Sequence, residues 1–417
     1  MNRCYKSADI LLPDFGKYAP EKWAVVACDQ FTSEPEYWAQ VEETVGDAPS
    51  TLNMILPEVY LAETEARLGG INARMLDYEK EILSSREDSM IYVERTQSDG
   101  TVRHGIVMAV DLEAYDYKKG AKALIRATEA TVIERIPPRV AIRRGASIEL
   151  PHVMLLIDDP EDKVFAIPKA ANGEVIYDFE LMLGGGHIKG SLISKEDKER
   201  ISKALDSLIL PEAMLEKYGD AQLAPLLFAV GDGNHSLATA KATYEEVKAK
   251  LGDAAADHPA RYALIEVVNL HDEALKFEPI YRIMTGVDPE DVLSSLTSYI
   301  DALDGAADAQ KIDYMYEDTT GTLVAEKPVQ QLAVGTLQIF IDEYIKSHAG
   351  AEVDYIHGED SIKALAKKPN SIGFIFDGMS KAQLFKTVIF DGALPRKTFS
   401  MGHAVDKRYY LECRKIK

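Results

Sequence analysis

A polar, glycine-bearing loop stands between a buried strand and a long helix just past the middle of the chain. Residues 226–230 (LLFAV) predict the strand, and residues 231–236 (GDGNHS) form the loop. The apolar positions that follow recur at spacings of three and four, as on one face of a helix: Leu237, Ala240, Tyr244, Val247 and Leu251. Gly252 is a suitable residue for ending that helix. This junction predicts a fold in which a buried strand is followed directly by a long helix.

The same loop has the composition of an anion-binding site. A helix N-terminus presents unpaired N–H groups and about half a positive charge, and glycine lets a phosphate approach the backbone closely. Asn234, His235 and Ser236 add polar side chains at the same end. Asp232 would repel a phosphate, so a functional role for it is to bind Mg²⁺ or to accept a proton from an attacking hydroxyl. The alternative is that Asp232 only caps the helix and the glycines only make the turn.

Strand and helix patterns alternate along the whole chain, which predicts an α/β or α+β fold. Residues 90–96 and 102–112 predict paired strands, 118–136 a helix that stops at Pro137, and 262–270 a further strand. The Ala- and Asp-rich segment between Gly252 and Arg261 favours a domain boundary. We therefore predict one domain over residues 1–252 and a second over residues 262–417.

Composition narrows the function classes. The chain has 417 residues, 47 Lys and Arg against 68 Asp and Glu, and a net charge of −21. Such acidity argues against general binding of nucleic acid or of anionic membrane, although a local pocket can still take a small anion. The three cysteines are widely spaced, so neither a disulfide framework nor a zinc knuckle is expected. No signal peptide and no membrane span are expected, and a reducing, cytoplasmic setting is the simplest interpretation.

Three more segments carry patterns that, with the loop, resemble a known family. Residues 126–131 read RATEAT, residues 262–282 end in FEPIYR, and residues 394–399 read LPRKTF. Together with residues 226–241 they resemble a widespread prokaryotic family of unknown function, in which the loop reads DGHHR and the other blocks read R-x-H-E-x-T, a P-T-H-R-like end and P-x-K-S/T. That loop is similar to the one in free-serine kinases built on the ParB/sulfiredoxin-like fold.

The resemblance implies a ParB/sulfiredoxin-like nucleotide-binding core with a mixed sheet, and a C-terminal α+β domain that closes the site. It also implies a kinase that uses ATP or ADP with Mg²⁺ and phosphorylates a small hydroxyl substrate, with free L-serine as the first candidate. Phosphoryl transfer depends mostly on positioning the two reactants and on stabilising the negative charge of the transferred phosphoryl group. A homodimer is one possible assembly.

The matching positions imply roles for individual residues. Asp232 would activate the hydroxyl or hold Mg²⁺, and Glu129 would orient the substrate amine or act as a base. Arg126 and Lys397 would neutralise phosphate charge. The phosphate or nucleotide would be held by the loop residues Gly231, Gly233, Asn234, His235 and Ser236.

The chain departs from the family at two of these positions. Ser236 replaces the loop arginine, which removes a bidentate phosphate clamp, and Thr128 replaces the histidine of the R-x-H-E-x-T pattern. Either the substrate differs, another cation substitutes, or the protein is a non-catalytic sensor of a nucleotide or phosphometabolite. An ATP-consuming ligase or nuclease is a further alternative, since one fold hosts varied chemistry.

Other residues suggest weaker candidates. Glu34, after the first predicted strand, would contact the substrate by analogy with ParB-like kinases, but a capped and solvated helix start is the preferred explanation. Asp158 and Asp159 fit a turn or a cation site, and Lys189 in the glycine-rich run 184–190 fits a hairpin or a second phosphate contact. We interpret His152 as a core histidine.

Overall fold

The structure of the protein, a computed structural model, describes residues 3–129 and 136–417. These residues form two compact units. The first unit contains the chain up to Ala127, the residues from the gap to Leu275, and the C-terminal segment Gly402–Lys417. The second unit contains Thr128, Glu129 and Lys276–Met401.

The strands of both units are numbered in chain order. They are β1 (Tyr5–Lys6), β2 (Ala8–Pro13), β3 (Val25–Val26), β4 (Leu83–Ser89), β5 (Ile91–Thr96), β6 (Val102–Asp111), β7 (Tyr115–Asp116), β8 (Ile125–Ala127), β9 (Ile148–Glu149), β10 (Met154–Ile157), β11 (Val175–Glu180), β12 (His187–Leu192), β13 (Phe228–Asp232), β14 (Tyr262–Asn269), β15 (Phe277–Thr285), β16 (Gln310–Tyr316), β17 (Thr319–Ala325), β18 (Glu352–His357), β19 (Ser371–Ile375), β20 (Phe399–Met401), β21 (Tyr409–Tyr410) and β22 (Arg414–Lys415).

The α-helices lie between these strands. They are α1 (Pro20–Trp23), α2 (Pro35–Val45), α3 (Thr64–Glu81), α4 (Ile136–Gly145), α5 (Ala166–Lys169), α6 (Lys195–Ser207), α7 (Pro211–Tyr218), α8 (Asn234–Leu251), α9 (Pro289–Asp301), α10 (Ala333–Ser347), α11 (Glu359–Ala366) and α12 (Lys381–Phe390).

The first unit is built on a large mixed sheet. Its strands follow the order β11-β12-β5-β6-β14-β10-β13-β8-β7, and β1 pairs with β6. The pairs β10–β14, β13–β8 and β7–β8 are parallel, while β10–β13 and β14–β6 are antiparallel. The sequence-based α/β class with a mixed sheet is therefore confirmed.

Alternating side chains of the sheet enter two separate hydrophobic cores. Ile106 and Met108 of β6 pack in one core with Leu237 of α8. Val107, between them, packs in the other core with Trp38 of α2. Because successive side chains of a strand point to opposite faces, the sheet is covered by helices on both sides. This explains why the central strands β10 and β14 are buried along almost their whole length.

The second unit has its own antiparallel sheet, in the order β17-β16-β19-β15-β18 with β20 paired to β15. The helices α9 and α10 bury Leu296 and Ile341, among other apolar residues. Gly373 of β19 leaves room for α11, since a Cβ there would lie 3.0 Å from Cγ1 of Ile362. Unit two is thus an α+β arrangement, as the sequence predicts for the C-terminal part.

The C-terminal segment Gly402–Lys417 is fixed in the first unit by a fully buried group of charges. Arg408 donates through Nη1 to Oε2 of Glu266 and through Nη2 to Oε2 of Glu412, the latter over 2.6 Å. Tyr177 donates to the second carboxylate oxygen of Glu412 over 2.7 Å. The glycine at position 105 makes space for the Glu266 carboxylate, because a Cβ there would lie 2.1 Å from Oε1.

The strands predicted over 90–96, 102–112, 226–230 and 262–270 are present as β5, β6, β13 and β14, and two other predictions differ from the structure. The helix predicted over 118–136 is absent from residues 118–129, which contain β8, so that prediction is wrong there; residues 130–135 lie outside the described part of the chain. Pairing with β13 and burial of Ile125 favour the strand. The division predicted at 252–262 also differs from the observed one, because β14 lies within the large sheet and Gly402–Lys417 belong to the first unit.

Among the described residues, no helix combines the length and apolar character needed to cross a membrane.

Replacing Arg408 with Met should lower the free energy of unfolding of the first unit by about 3–5 kcal/mol, because Glu412 would keep a buried charge without its cation. Glu266 would lose its nearer cation and keep Arg103, whose Nε lies 3.8 Å from its Oε1. Urea unfolding can be followed by the fluorescence of Trp23 and Trp38, the two tryptophans of the chain, both buried in this unit. Arg3→Met is the matched control, since Arg3 pairs with Asp206 at the surface and should cost about 1 kcal/mol or less. Equal losses in the two variants would contradict this account.

Candidate functional site

The predicted loop 231–236 contains the last two residues of β13, the single connecting residue Gly233 and the first three residues of α8. Each of its six residues is partly exposed, whereas residues 226–230 before it and 237–240 after it are buried. Met154 at the start of β10 lies opposite Asp232, because β10 and β13 are antiparallel. β8 ends beside β13, with Ala127 opposite Val230. The loop therefore lies at an edge of the sheet where several segments meet.

Gly233 fits this turn for a specific reason. It stands just before α8 with φ +79° and ψ +28°, in the left-handed region that glycine adopts readily. A Cβ at this position would lie 3.0 Å from both Cα and Cγ2 of Val153. Close packing of the loop against the residue before β10 thus excludes larger side chains.

Asp232 makes two contacts of different kinds. Its Oδ1 accepts a hydrogen bond from the backbone N–H of Gly233 over 2.9 Å. Its Oδ2 lies 3.1 Å from Nζ of Lys407, which comes from the C-terminal segment. The carboxylate thus supports the turn, as the structural alternative predicts, and also places an ammonium group beside the start of α8.

Ser236, in the first turn of α8, contacts an imidazole. Its Oγ lies 2.7 Å from Nε2 of His152, and Nδ1 of His152 lies 3.0 Å from Oη of Tyr410. Tyr410 donates to Sγ of Cys28 over 3.0 Å and accepts from the N–H of Cys28 over 3.2 Å. His152 is only partly buried, so the interpretation as a core histidine is wrong.

Among the acidic residues that follow β3, Asp29 and not Glu34 lies near His152 and Lys407. Burial raises the pKa of Asp29, but His152, the side-chain amide of Gln30 and Lys407 outweigh that effect and lower the pKa below its ordinary value. Asp29 is therefore ionised at neutral pH. Glu34 is exposed at the start of α2, where its N–H donates to the carbonyl of Phe31.

Arg126 has a structural position in β8. Its side chain is buried, and it donates to the backbone carbonyls of Ala123, Ala224 and Pro225 over 2.8, 2.9 and 3.0 Å. These contacts hold the segment before β13 against β8. Phosphate neutralisation by Arg126 stays a prediction that these contacts do not support.

Glu129 and Lys397 belong to the second unit. The N–H of Leu394 donates to the carbonyl of Thr128 over 2.7 Å, and Glu129 pairs with Leu394 as a parallel bridge. Nζ of Lys397 lies 4.8 Å from the centre of the Tyr355 ring, and Lys397 has a φ of +51°. Two family-like segments that are far apart in sequence thus meet within this unit.

The family-like block 394–399 also contacts Arg282, the last residue of the block 262–282. Arg282 donates through Nη2 to the carbonyl of Arg396 over 2.9 Å. Burial lowers the pKa of Arg282 to about 10. Of the block at 126–131, Ala130 and Thr131 lie outside the described residues.

A metal held by protein side chains alone does not fit this site. Within residues 3–129 and 136–417, His, Cys, Asp and Glu nowhere form a group of three or more that could hold a metal ion. Both oxygens of Asp232 are also engaged, by Gly233 and by Lys407. We therefore derive no step through Mg²⁺.

The family model for proteins of unknown function named DUF1015 matches residues 14–387. The chain belongs to this family. Among curated proteins, none matches the chain.

Several solved structures are similar to parts of this one. A conserved hypothetical protein from Pyrococcus furiosus is 11% identical with a TM-score of 0.34, and the match covers 75% of this chain and 95% of that one. A free serine kinase variant in complex with ADP is 11% identical with a TM-score of 0.38, covering 76% and 93%. The protein SbnI from Staphylococcus aureus, with a C-terminal truncation, is 10% identical with a TM-score of 0.33, covering 71% and 82%.

Sequence reasoning found the loop but missed the residues that surround it. Lys407, His152 and Tyr410 lie far from residues 231–236 in sequence and stand in no recognisable motif. The only local signal was Pro151-His152 before a buried strand, which is also typical of core histidines.

Gly233→Ala should destabilise the first unit by more than the roughly 1–2 kcal/mol that a left-handed conformation costs an ordinary residue, because its Cβ would also press on Val153. Gly219→Ala is the matched control, since Gly219 has φ +81° and nothing within 4 Å of a Cβ. Urea unfolding of the two variants measures the difference. A Gly233→Ala variant as stable as Gly219→Ala would show that the loop is not packed as described.

Proposed function

We propose that this protein is a phosphotransferase that uses ATP or ADP and phosphorylates a small hydroxyl substrate, with free L-serine as the first candidate. The observation that carries this proposal is the loop 231–236. There a glycine-bearing turn, the start of an 18-residue helix, an ammonium group and an imidazole share one partly exposed edge of the sheet.

The phosphate groups of the nucleotide would bind at the start of α8. N–H groups in the first turn of a helix lie outside its own ladder of hydrogen bonds and attract anions. Lys407 would supply the cation that the family's arginine supplies at the position of Ser236 here. Its Nζ lies 3.1 Å from Asp232, so it is already held at the edge of the loop.

Asp232 would act once the phosphate is bound. A phosphate that also binds Nζ of Lys407 would weaken the ion pair between Lys407 and Asp232. Oδ2 of Asp232 could then accept the proton of the acceptor hydroxyl. The ionised Asp29 adds negative charge nearby. Mg²⁺ would come with the nucleotide phosphates, as is usual for this ion.

The remaining assignments stay predictions. They concern Glu129 as a second acid, Lys397 and Arg126 as phosphate contacts, and Glu34 as a substrate contact. The cytoplasmic location, a homodimer and closure of the site by the C-terminal part are also predictions.

Incubation with L-serine, Mg²⁺ and either nucleotide should consume the nucleotide and yield a phosphorylated acceptor. Asp232→Asn should lower turnover by about 10²–10⁴-fold, the usual contribution of a general base, while nucleotide affinity is largely kept. A non-catalytic sensor would instead show no turnover and would bind equally well or better once the repelling charge is removed. If neither nucleotide is consumed and neither raises the unfolding temperature, the proposal fails.

Lys407→Met should weaken nucleotide binding by about 10–100-fold, since a hydrogen bond to a charged group contributes about 1.5–3 kcal/mol. Calorimetric titration measures this change. Lys415→Met is the matched control, because Lys415 also lies in the C-terminal segment and forms an ion pair, with Glu79 at 2.7 Å. Equal affinities of the two variants would remove Lys407 from the site.

A further inference from the structure

Ser236 and His152 form a nucleophile–base pair at the edge of the loop. Oγ of Ser236 lies 2.7 Å from Nε2 of His152, within the distance at which a base takes a proton directly. Both side chains are partly exposed, so a substrate can reach them. They come from segments more than 80 residues apart, because antiparallel β10 and β13 bring the residues before β10 beside the residues after β13.

The imidazole of His152 is held in one orientation by its other nitrogen. Nδ1 lies 3.0 Å from Oη of Tyr410, which is buried, and the two rings meet edge to face at 5.5 Å. With the Tyr410 proton on Sγ of Cys28, the remaining lone pairs of Oη accept from the N–H of Cys28 and from Nδ1–H of His152. In this arrangement Nε2 has no proton and accepts the one from Ser236.

Nearby charge favours proton transfer to His152. Asp29 interacts electrostatically with His152 and is ionised at neutral pH, so it stabilises the imidazolium that the transfer produces. A base oriented by a third group beside a hydroxyl is the usual arrangement for an activated serine nucleophile.

We propose that Ser236 is a covalent nucleophile that carries the phosphoryl group between the nucleotide and the acceptor. This inference rests on the proposed function, which supplies a nucleoside triphosphate as the donor. Oγ of Ser236 attacks the γ-phosphorus while the bond from that phosphorus to the bridging oxygen breaks. The diphosphate leaves with the electron pair, and the hydroxyl proton moves to Nε2 of His152.

The second transfer restores the enzyme. The acceptor oxygen attacks the phosphorus of phosphoserine 236, and the bond from phosphorus to Oγ breaks. His152 returns its proton to Oγ, and the proton of the acceptor hydroxyl passes to Oδ2 of Asp232, the base of the proposed function. The intermediate suits its position, since a phosphoserine in the first turn of a helix is stabilised by the helix dipole.

The hydroxyl of Ser236 lies where the proposed function places the phosphate groups. Lys407 provides positive charge at the other end of residues 231–236. A nucleotide bound there would bring its terminal phosphate beside a side chain that can accept the phosphoryl group.

The test is rapid-quench labelling of the full chain with γ-labelled ATP and Mg²⁺ in the absence of acceptor, followed by peptide mass spectrometry. We expect one phosphoryl group on Ser236, none in Ser236→Ala, and labelling slowed by about 10²–10⁴-fold in His152→Gln. Ser194→Ala is the matched control, because Ser194 also stands at a helix N-terminus but bonds to Asp197 and not to a histidine. It should be labelled like the unmodified protein.

The outcomes separate this inference from the proposed function. Phosphorylation of an acceptor without labelled protein, or full turnover by Ser236→Ala, would overturn the inference and leave the proposed function standing. Labelling at Ser236 that is not passed on to added acceptor would overturn the carrier role, because the second transfer would be missing. If neither protein nor acceptor is phosphorylated, the inference fails, and the proposed function then stands only with ADP as the donor.

Discussion

The arrangement of the first unit depends on one buried cation. Arg408 is almost fully enclosed and is shared by Glu266 in the large sheet and Glu412 in the C-terminal segment. Burial alone would lower the pKa of Arg408, but the two carboxylates outweigh that effect and raise it. Taking such charges out of water is costly, so the group is stable only with all members present. This requirement fixes the position of Gly402–Lys417 in the first unit, since β21 and β22 pair with β3 and β9 through only two residues each.

Arg408 and its neighbours in sequence also position residues of the candidate site. Arg408 also donates through Nε to the carbonyl of Pro151 over 3.1 Å, directly before His152. Its neighbour Lys407 meets Asp232, and Tyr410, two residues further on, meets His152. A segment near the end of the chain thus brings Lys407 to Asp232 and Tyr410 to His152. Under the proposed function, stability and chemistry are coupled, because the residues assigned to binding and proton transfer are neighbours of the residue that holds the fold.

The sequence predicts what depends on local signals. The strand–loop–helix junction and α8 follow from apolar spacing and from glycine, and Gly233 adopts the left-handed conformation that its position requires. β8 was missed because its helix-favouring composition is overridden by pairing with β13. Lys407 and His152 could not be predicted as site residues, since their roles depend on strand order and on the return of the C-terminal segment. No local sequence pattern indicates the contact between Asp232 and Lys407.

The most direct test of the account is a crystal structure of the protein with a non-hydrolysable nucleotide and Mg²⁺. The account predicts phosphate oxygens at hydrogen-bond distance, about 2.7–3.2 Å, from the N–H groups in the first turn of α8 and from Nζ of Lys407. It also predicts the terminal phosphorus within reach of Oγ of Ser236. A nucleotide bound elsewhere, with Lys407 and Asp232 still paired and the first turn of α8 without phosphate, would contradict it.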